Sequence, residues 1–276
     1  VVPCYMYALT REGRKPPMVA VRRAVYSLLE KTKRRGDAVN ILGYFSPLLD
    51  NCEIYALLQQ AGVKTVRELS RCVDFCAYKK MSEANFNLVL HPESRLAAQY
   101  MEEHLGIPGI ELTRLYQIDK IHKQYMIFAK IIGTTLDDTS FRREAEEAVE
   151  AFLKKNGHIS LAIGEMANAD PFELALALSK YGLHVEKIYG TVTAESFVYL
   201  RQLTVVAPHI KIYSNLSPTM LYYKDDGDVG LTVGKDAAYY HPRAAHVFWT
   251  QEVQPFGYAG VTTLFACMER ALEGGI

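Results

Sequence analysis

His91, Ser94 and Arg95 are the residues whose types and spacing lend themselves most directly to chemistry. They fall where the apolar run Phe86–Leu90 gives way, through His91-Pro92-Glu93-Ser94, to an amphipathic stretch starting at Arg95. An imidazole, a hydroxyl and a guanidinium beside the unpaired N–H groups of a helix start make a pocket for an anion or cofactor. The same histidine can equally cap or pack there. A second concentration is His241-Pro242-Arg243-Ala244-Ala245-His246, followed by Trp249 and the glycine-aromatic run Gln254-Pro255-Phe256-Gly257-Tyr258-Ala259-Gly260. Such a run either wraps a large planar ligand or turns a tight corner. Phe256, Gly257, Tyr258 and Gly260 are therefore candidate cofactor contacts, with Ser94 and Arg95. His91 and His246 are the candidate catalytic proton carriers, because imidazole titrates near neutrality. Cys4 follows an extended Val-Val-Pro, and an exposed thiolate there suits iron or another soft metal, with partners supplied from elsewhere. Cys72 and Cys76 lack the closer spacing of a redox or zinc pair and read as buried or incidental thiols.

The elements that must hold these residues alternate. Helix 18–34 has Val21, Ala24, Val25, Leu28 and Leu29 on one stripe and Arg22, Arg23, Glu30 and Lys33 on the other. Strand Val39–Tyr44 follows, then a helix to Ala61 with Asp50 and Glu53 as its capping box, and strand Val63–Leu69. Helix 73–84, strand Phe86–Leu90 and a helix from Arg95 closed by Gly106 complete a strand–helix alternation that requires a parallel sheet. Two long helical segments occupy 116–155, and the crossover between domains is placed there. A second unit opens with Ile159–Gly164, the helix start Asp170-Pro171-Phe172-Glu173, and strand Leu183–Ile188. Shorter strand candidates lie at 210–213, 229–233 and 246–248, and a last helix at 260–272.

The expected fold class is α/β: two Rossmann-like, doubly wound domains, 1–137 and 138–276, with helices on both faces of parallel sheets. Ligands bind such sheets at the carboxyl ends of the strands. That rule selects Gly43–Pro47, His91–Arg95, Gly164–Asp170, Gly190–Ala194 and Gly234-Lys235, and adds Gly164 to the candidate cofactor contacts. Neither GxGxxG nor GxxxxGK[ST] occurs there, so dinucleotide and P-loop readings lack their fingerprint.

Lys plus Arg and Asp plus Glu balance at 31 each, which argues against a general nucleic-acid binder. No apolar run is long enough to cross a bilayer, and no membrane is expected. The five scattered cysteines suit a reducing compartment, so a cytoplasmic protein is expected.

With these residues in view, the chain resembles the component 1 subunits of nitrogenase and their relatives, among them cofactor-assembly scaffolds and dark-operative protochlorophyllide reductases. Val39–Phe45 followed by Asp50 is similar to the family's isoleucine-glycine-tyrosine strand and turn. Asn85–Val89 with Met101–Pro108 is similar to its strand, helix and glycine-isoleucine-proline ending. Ala162-Ile163-Gly164 with Gly182–Val185 resembles the start of its last domain, and Gln254–Gly260 its proline-tyrosine-glycine loop. The likeness runs along nearly the whole chain, which would be the later two-thirds of a typical subunit.

The resemblance implies a homodimer or a heterotetramer with a related subunit. It also implies an ATP-dependent iron–sulfur reductase as partner, and an iron–sulfur cluster for which Cys4 stands at a ligand position, the other ligands lying upstream of Val1. A complex metallocofactor or a tetrapyrrole would occupy the cleft between domains, beside His91, Ser94, Arg95, His246 and the Phe256–Gly260 loop. The expected function is a nitrogenase-like oxidoreductase subunit relaying low-potential electrons. The competing class is a non-catalytic cofactor-binding or cluster-assembly scaffold. An unrelated Rossmann-like sugar or nucleotide enzyme is a third reading. Leu90, Val247 and Ala167 stand where the dinitrogen-reducing subunit has its cofactor cysteine, histidine and arginine, so dinitrogen reduction is not expected.

Overall fold

The computed structural model describes residues 17–224, 229–250 and 254–274. The chain divides into two compact units: residues 1–48, 54–114 and 124–137 form the first, and 49–53, 115–123 and 138–276 the second.

In the first unit, strands β1 (Ala38–Leu42), β2 (Thr65–Glu68), β3 (Phe86–Val89) and β4 (Gly109–Glu111) form a four-stranded parallel sheet in the order β2-β1-β3-β4. Both central strands are buried along their whole length, as a parallel sheet covered on both faces requires. Helices α1 (Pro17–Tyr26) and α4 (Arg95–Leu105) pack on each other, and Tyr26, Leu42, Met81, Val89 and Met101 share one core cluster. Helix α4 ends on Gly106 with φ 73°, the left-handed cap that its sequence predicts. One polar pair is buried within the sheet. Asn40 on β1 donates from Nδ2 to Asn87 Oδ1 at 2.9 Å and to the Met81 carbonyl at 2.8 Å, tying together strands whose register already pairs the two residues.

Two helices are shorter than their periodicity suggests. Helix α1 stops at Tyr26, and the chain beyond it runs on to Arg34, whose guanidinium donates to the carbonyls of Gly106 and Asn85. The segment predicted as helix 73–84 is one short helix, α3 (Phe75–Lys79), capped by Asp74 and continued by a 3-10 turn over Lys80–Glu83. Helix α2 (Glu53–Gln60) begins as expected, but the Glu53 carboxylate does not close a capping box on itself. It accepts from the backbone N–H groups of Tyr258, at 2.6 Å, and Ala259, at 3.1 Å.

Two long helices, α5 (Ile118–Ile132) and α6 (Thr139–Asn156), precede the second sheet. That sheet has five parallel strands, β5 (Ser160–Gly164), β6 (His184–Tyr189), β7 (Lys211–Tyr213), β8 (Leu231–Val233) and β9 (Ala245–Val247), in the order β7-β6-β5-β8-β9. Helix α7 (Pro171–Tyr181) starts as its sequence demands: Asp170 Oδ1 accepts from Phe172 and Glu173 N–H at 2.9 Å, proline opens the first turn, and Gly182 closes the last. Helices α8 (Phe197–Val206), α9 (Lys235–Tyr240) and α10 (Gly257–Leu272) complete the unit. Each unit is thus a doubly wound α/β fold with helices on both sheet faces.

Candidate functional site

In each sheet the chain reverses its direction of growth once, and in open α/β sheets ligands bind beside such a point, at the carboxyl ends of the strands. In the first sheet the reversal lies between β1 and β3; in the second it lies between β5 and β8.

The first reversal is basic. Gly43, Tyr44 and Phe45 follow β1, and Leu90 and His91 follow β3, so close that a Cβ on Gly43 would stand 3.1 Å from the Leu90 Cβ. Arg22, buried beneath them, donates to the Gly43 carbonyl, reaches Ser94 Oγ at 3.4 Å, pairs with Glu93 at 3.4 Å, and lies over the Phe45 ring. Its Nε is buried with no hydrogen bond among the described residues. Arg114 covers the Tyr44 ring at 4.3 Å, and that ring meets His91 edge to face at 5.1 Å. Burial, followed by the charges of Arg22, Arg114 and Arg95, pushes the His91 imidazole down to about 4. His91 Nδ1 accepts the Glu93 N–H at 3.2 Å, so the neutral ring carries its proton on Nε2. His91 is therefore a neutral hydrogen-bond donor at ordinary pH, in place of the near-neutral acid expected from its residue type. The periodicity put Arg22 on a solvent face; in the folded chain its guanidinium is drawn inward by the carbonyl of Gly43, which ends β1.

Ser94 is buried and donates from Oγ to the same Gly43 carbonyl at 3.2 Å, fastening the start of α4 to the end of β1. Arg95 is exposed and turned to Glu111 in a bidentate pair of 2.6 to 3.0 Å.

The second reversal is acidic. Gly164 ends β5, and Asp236 lies so close that a Cβ on the glycine would stand 1.9 Å from its Oδ1. The Asp236 carboxylate accepts the N–H groups of Glu165 at 3.0 Å and Met166 at 3.1 Å, closing the loop after β5 onto the start of α9. Glu165 accepts from the Thr191 N–H at 2.6 Å, and Asn215 Nδ2 bridges Glu165 and Asp236 at 2.9 and 2.7 Å. Glu165, Asn215 and Asp236 escaped the sequence reading, although the rule of strand ends selects both loops that carry the carboxylates.

His246 sits on β9, where Nδ1 meets Thr232 Oγ1 at 2.9 Å and the ring lies parallel to Phe248. Phe256, Gly257, Tyr258 and Gly260 are all buried and form the entry and first turn of α10. The N–H groups of Tyr258 and Ala259 donate to the Glu53 carboxylate, and the Tyr258 hydroxyl donates to Asp138 at 2.6 Å, which also binds His122 Nδ1 at 2.9 Å. Trp249, with a left-handed φ of 49°, is held in that conformation by its indole N–H on Tyr116 and by its carbonyl on the Asn168 N–H, each at 2.7 Å. Cys4 lies outside the described residues. Cys52 is buried, Cys72 and Cys267 are half-buried, and Cys76 is exposed.

Among the described residues no three His, Cys, Asp or Glu side chains gather as a metal site. These residues therefore do not fit an iron–sulfur cluster by themselves.

Two parallel sheets, each with one reversal of strand order, define a doubly wound α/β protein. The family model for nitrogenase component 1 type oxidoreductases matches residues 12–207, and the chain belongs to that family. Among solved structures it is similar to nitrogenase Cp1 at pH 6.5, with 14% identity, a TM-score of 0.68, and coverage of 94% of this chain and 64% of that one. It is likewise similar to nitrogenase Cp1 at pH 5, with 12% identity, a TM-score of 0.62, and coverage of 96% and 63%. At these identities the likeness is one of fold, and the chain spans a little under two-thirds of those proteins. No curated protein matches the sequence. No helix of the described residues is long and apolar enough to cross a membrane.

Proposed function

We propose that the chain is part of a nitrogenase-like oxidoreductase subunit that holds an anionic group of its substrate or metallocofactor at the first sheet's reversal. Low-potential electrons would reach that ligand from an ATP-dependent iron–sulfur reductase. The observation that carries this reading is the cluster of basic and aromatic side chains at that reversal. Arg22 and Arg114 flank Tyr44 and His91 at the carboxyl ends of β1 and β3, and a neutral His91 presents an Nε2–H donor. Beside the buried charge of Arg22, the Arg114 guanidinium and the His91 donor would fix a carboxylate or oxoanion more strongly than they would in water. Their part in the reaction is to bind and orient. A tetrapyrrole or a complex metallocofactor bearing carboxylates has the chemistry they recognise.

The electron-carrying part rests on family membership and on Cys4, which by resemblance stands at a cluster-ligand position. An iron–sulfur cluster passes single electrons, and its remaining ligands would come from outside the described residues or from a second, related subunit in a homodimer or heterotetramer. The alternative is a cofactor-binding or cluster-assembly scaffold without turnover. What favours it is that Leu90, Val247 and Ala167 stand where the resemblance places the family's cofactor cysteine, histidine and arginine. Both roles suit a cytoplasmic protein.

The anion site is tested on the full-length chain with malonate as probe, following the His91 ring resonances by NMR. Saturable shifts that weaken about tenfold in Arg114→Gln are expected, the loss of one charge-assisted contact. Unperturbed His91 resonances at saturating malonate would remove the site from the account.

A further inference from the structure

The second sheet's reversal carries a site of opposite character. A cavity of about 400 Å³ opens there, with Glu165, Asp236 and Asn215 on one side and Tyr239 and Tyr240 on the other. The same two tyrosines wall a neighbouring cavity of about 500 Å³, whose lining includes Met220, Tyr223 and Pro242. The crevice therefore has a carboxylate end and an aromatic end, joined by Tyr239 and Tyr240.

We propose that this crevice is a binding site for an organic ammonium ion carrying an aromatic or other flat apolar body. Several observations converge on that class of ligand. Two carboxylates, Glu165 and Asp236, are held together by the single Asn215 amide that donates to both, at 2.9 and 2.7 Å. The backbone donors on the two carboxylates and the shared amide partly offset their repulsion, and a cation placed beside them would offset more of it. The same field reaches the aromatic wall: burial first, then the charge of Asp236, the neighbouring Tyr239 and Glu165 raise the Tyr240 phenol. The Asn215 Oδ1 is buried beside the carboxylates and takes no hydrogen bond among the described residues, so an acceptor awaits a donor. The one cationic side chain lining the cavity, Lys235, is exposed.

The aromatic wall is built rather than incidental. Tyr240 stacks on the buried Tyr189 at 4.6 Å between ring centroids, Tyr223 meets Tyr240 at 5.2 Å, and the Tyr189 and Tyr223 hydroxyls are 2.7 Å apart. Tyr239 alone stands out, 80% exposed and edge-on to Tyr240 at 5.3 Å. Ring faces attract cations through their quadrupole, so tyrosine walls beside carboxylates recognise an ammonium group twice over. A bare metal ion is disfavoured, because the described residues provide no group of three ligands here. This site does not depend on the anion site of the first sheet.

The test is calorimetric titration of the full-length chain with phenethylammonium, against its neutral counterpart 2-phenylethanol and the anion benzoate. Saturable binding of phenethylammonium, at least tenfold tighter than either comparison compound, is the expected result. Tyr239→Ala should weaken it about tenfold with an unchanged melting temperature, and Glu165→Gln should weaken it by about as much; Tyr239, being exposed, reads the site even if the Glu165 variant is poorly folded. No binding of phenethylammonium, equal binding of 2-phenylethanol, preference for benzoate, or full affinity in Tyr239→Ala would each overturn the proposal.

Discussion

Asp236 occupies the space that a side chain on Gly164 would need: a Cβ there would stand 1.9 Å from its Oδ1 and 2.5 Å from its Cγ. The glycine at the end of β5 is therefore what allows the Asp236 carboxylate to reach the N–H groups of Glu165 and Met166. Gly164→Ala is expected to push Asp236 out of that position and to destabilise the second unit by about 1–3 kcal/mol, the usual cost of forcing extra volume into a packed site. Urea unfolding should show a lower midpoint with an unchanged slope.

Arg22 should behave as a buried linchpin of the first unit. Its loss in Arg22→Ala leaves the Gly43 carbonyl and Glu93 without their cationic partner. Destabilisation of about 2 kcal/mol is expected for these charge-assisted contacts. Lysine should restore only part of it, since a point ammonium cannot address carbonyl, hydroxyl and carboxylate together as the planar guanidinium does. Denaturant midpoints of the two variants against the parent check both statements.

His91 should stay neutral down to about pH 4, held there by burial and by Arg22, Arg114 and Arg95. The sign follows from a histidine whose folded value lies below its unfolded value of about 6.5. Its contribution to stability is complete above about pH 6.5 and is lost as pH falls through the folded value of about 4. NMR titration of the imidazole carbon-bound protons reads this directly, and a midpoint near 6.5 would contradict it.

Glu173 offers the opposite test. It is fully buried in α7, and desolvation raises its carboxyl to about 7 despite donors from Gln117 and Tyr116. An acid raised on folding stabilises fully below its unfolded value of about 4.5, and that contribution is lost as pH rises through about 7. Both carboxylate oxygens accept from the Tyr116 N–H, at 3.1 and 3.0 Å. Glu173→Gln, although it removes the charge, aims an amide donor at a backbone donor whichever way it is turned. It should cost about 1–3 kcal/mol at pH 5, read by thermal or urea unfolding.

The parallel sheets were legible because strand, helix and glycine stop recur with clear periods: β1, β3, β5 and α7 lie where Val39, Phe86, Ile159 and Asp170 announce them. The strand-end rule selects His91 and Gly164, and each flanks a sheet reversal. What periodicity cannot reveal is a polar side chain whose partner is distant in sequence. Arg22 reads as a solvent-facing residue until the Gly43 carbonyl is seen beneath it, and Glu53 reads as its own helix's cap although it serves the start of α10. Asp236 and Asn215 were silent for the same reason. Their meaning lies in the residues that β5, β7 and β8 bring beside them, and only the strand order β7-β6-β5-β8-β9 makes them neighbours.

The most direct test of the electron-carrying role is the iron and acid-labile sulfide content per chain, with an electron paramagnetic resonance spectrum, of the full-length protein purified without oxygen. The account predicts stoichiometric iron and sulfide that disappear in Cys4→Ala. A colourless, iron-free protein, even after anaerobic reconstitution, would contradict it and leave a binding or assembly role in its place.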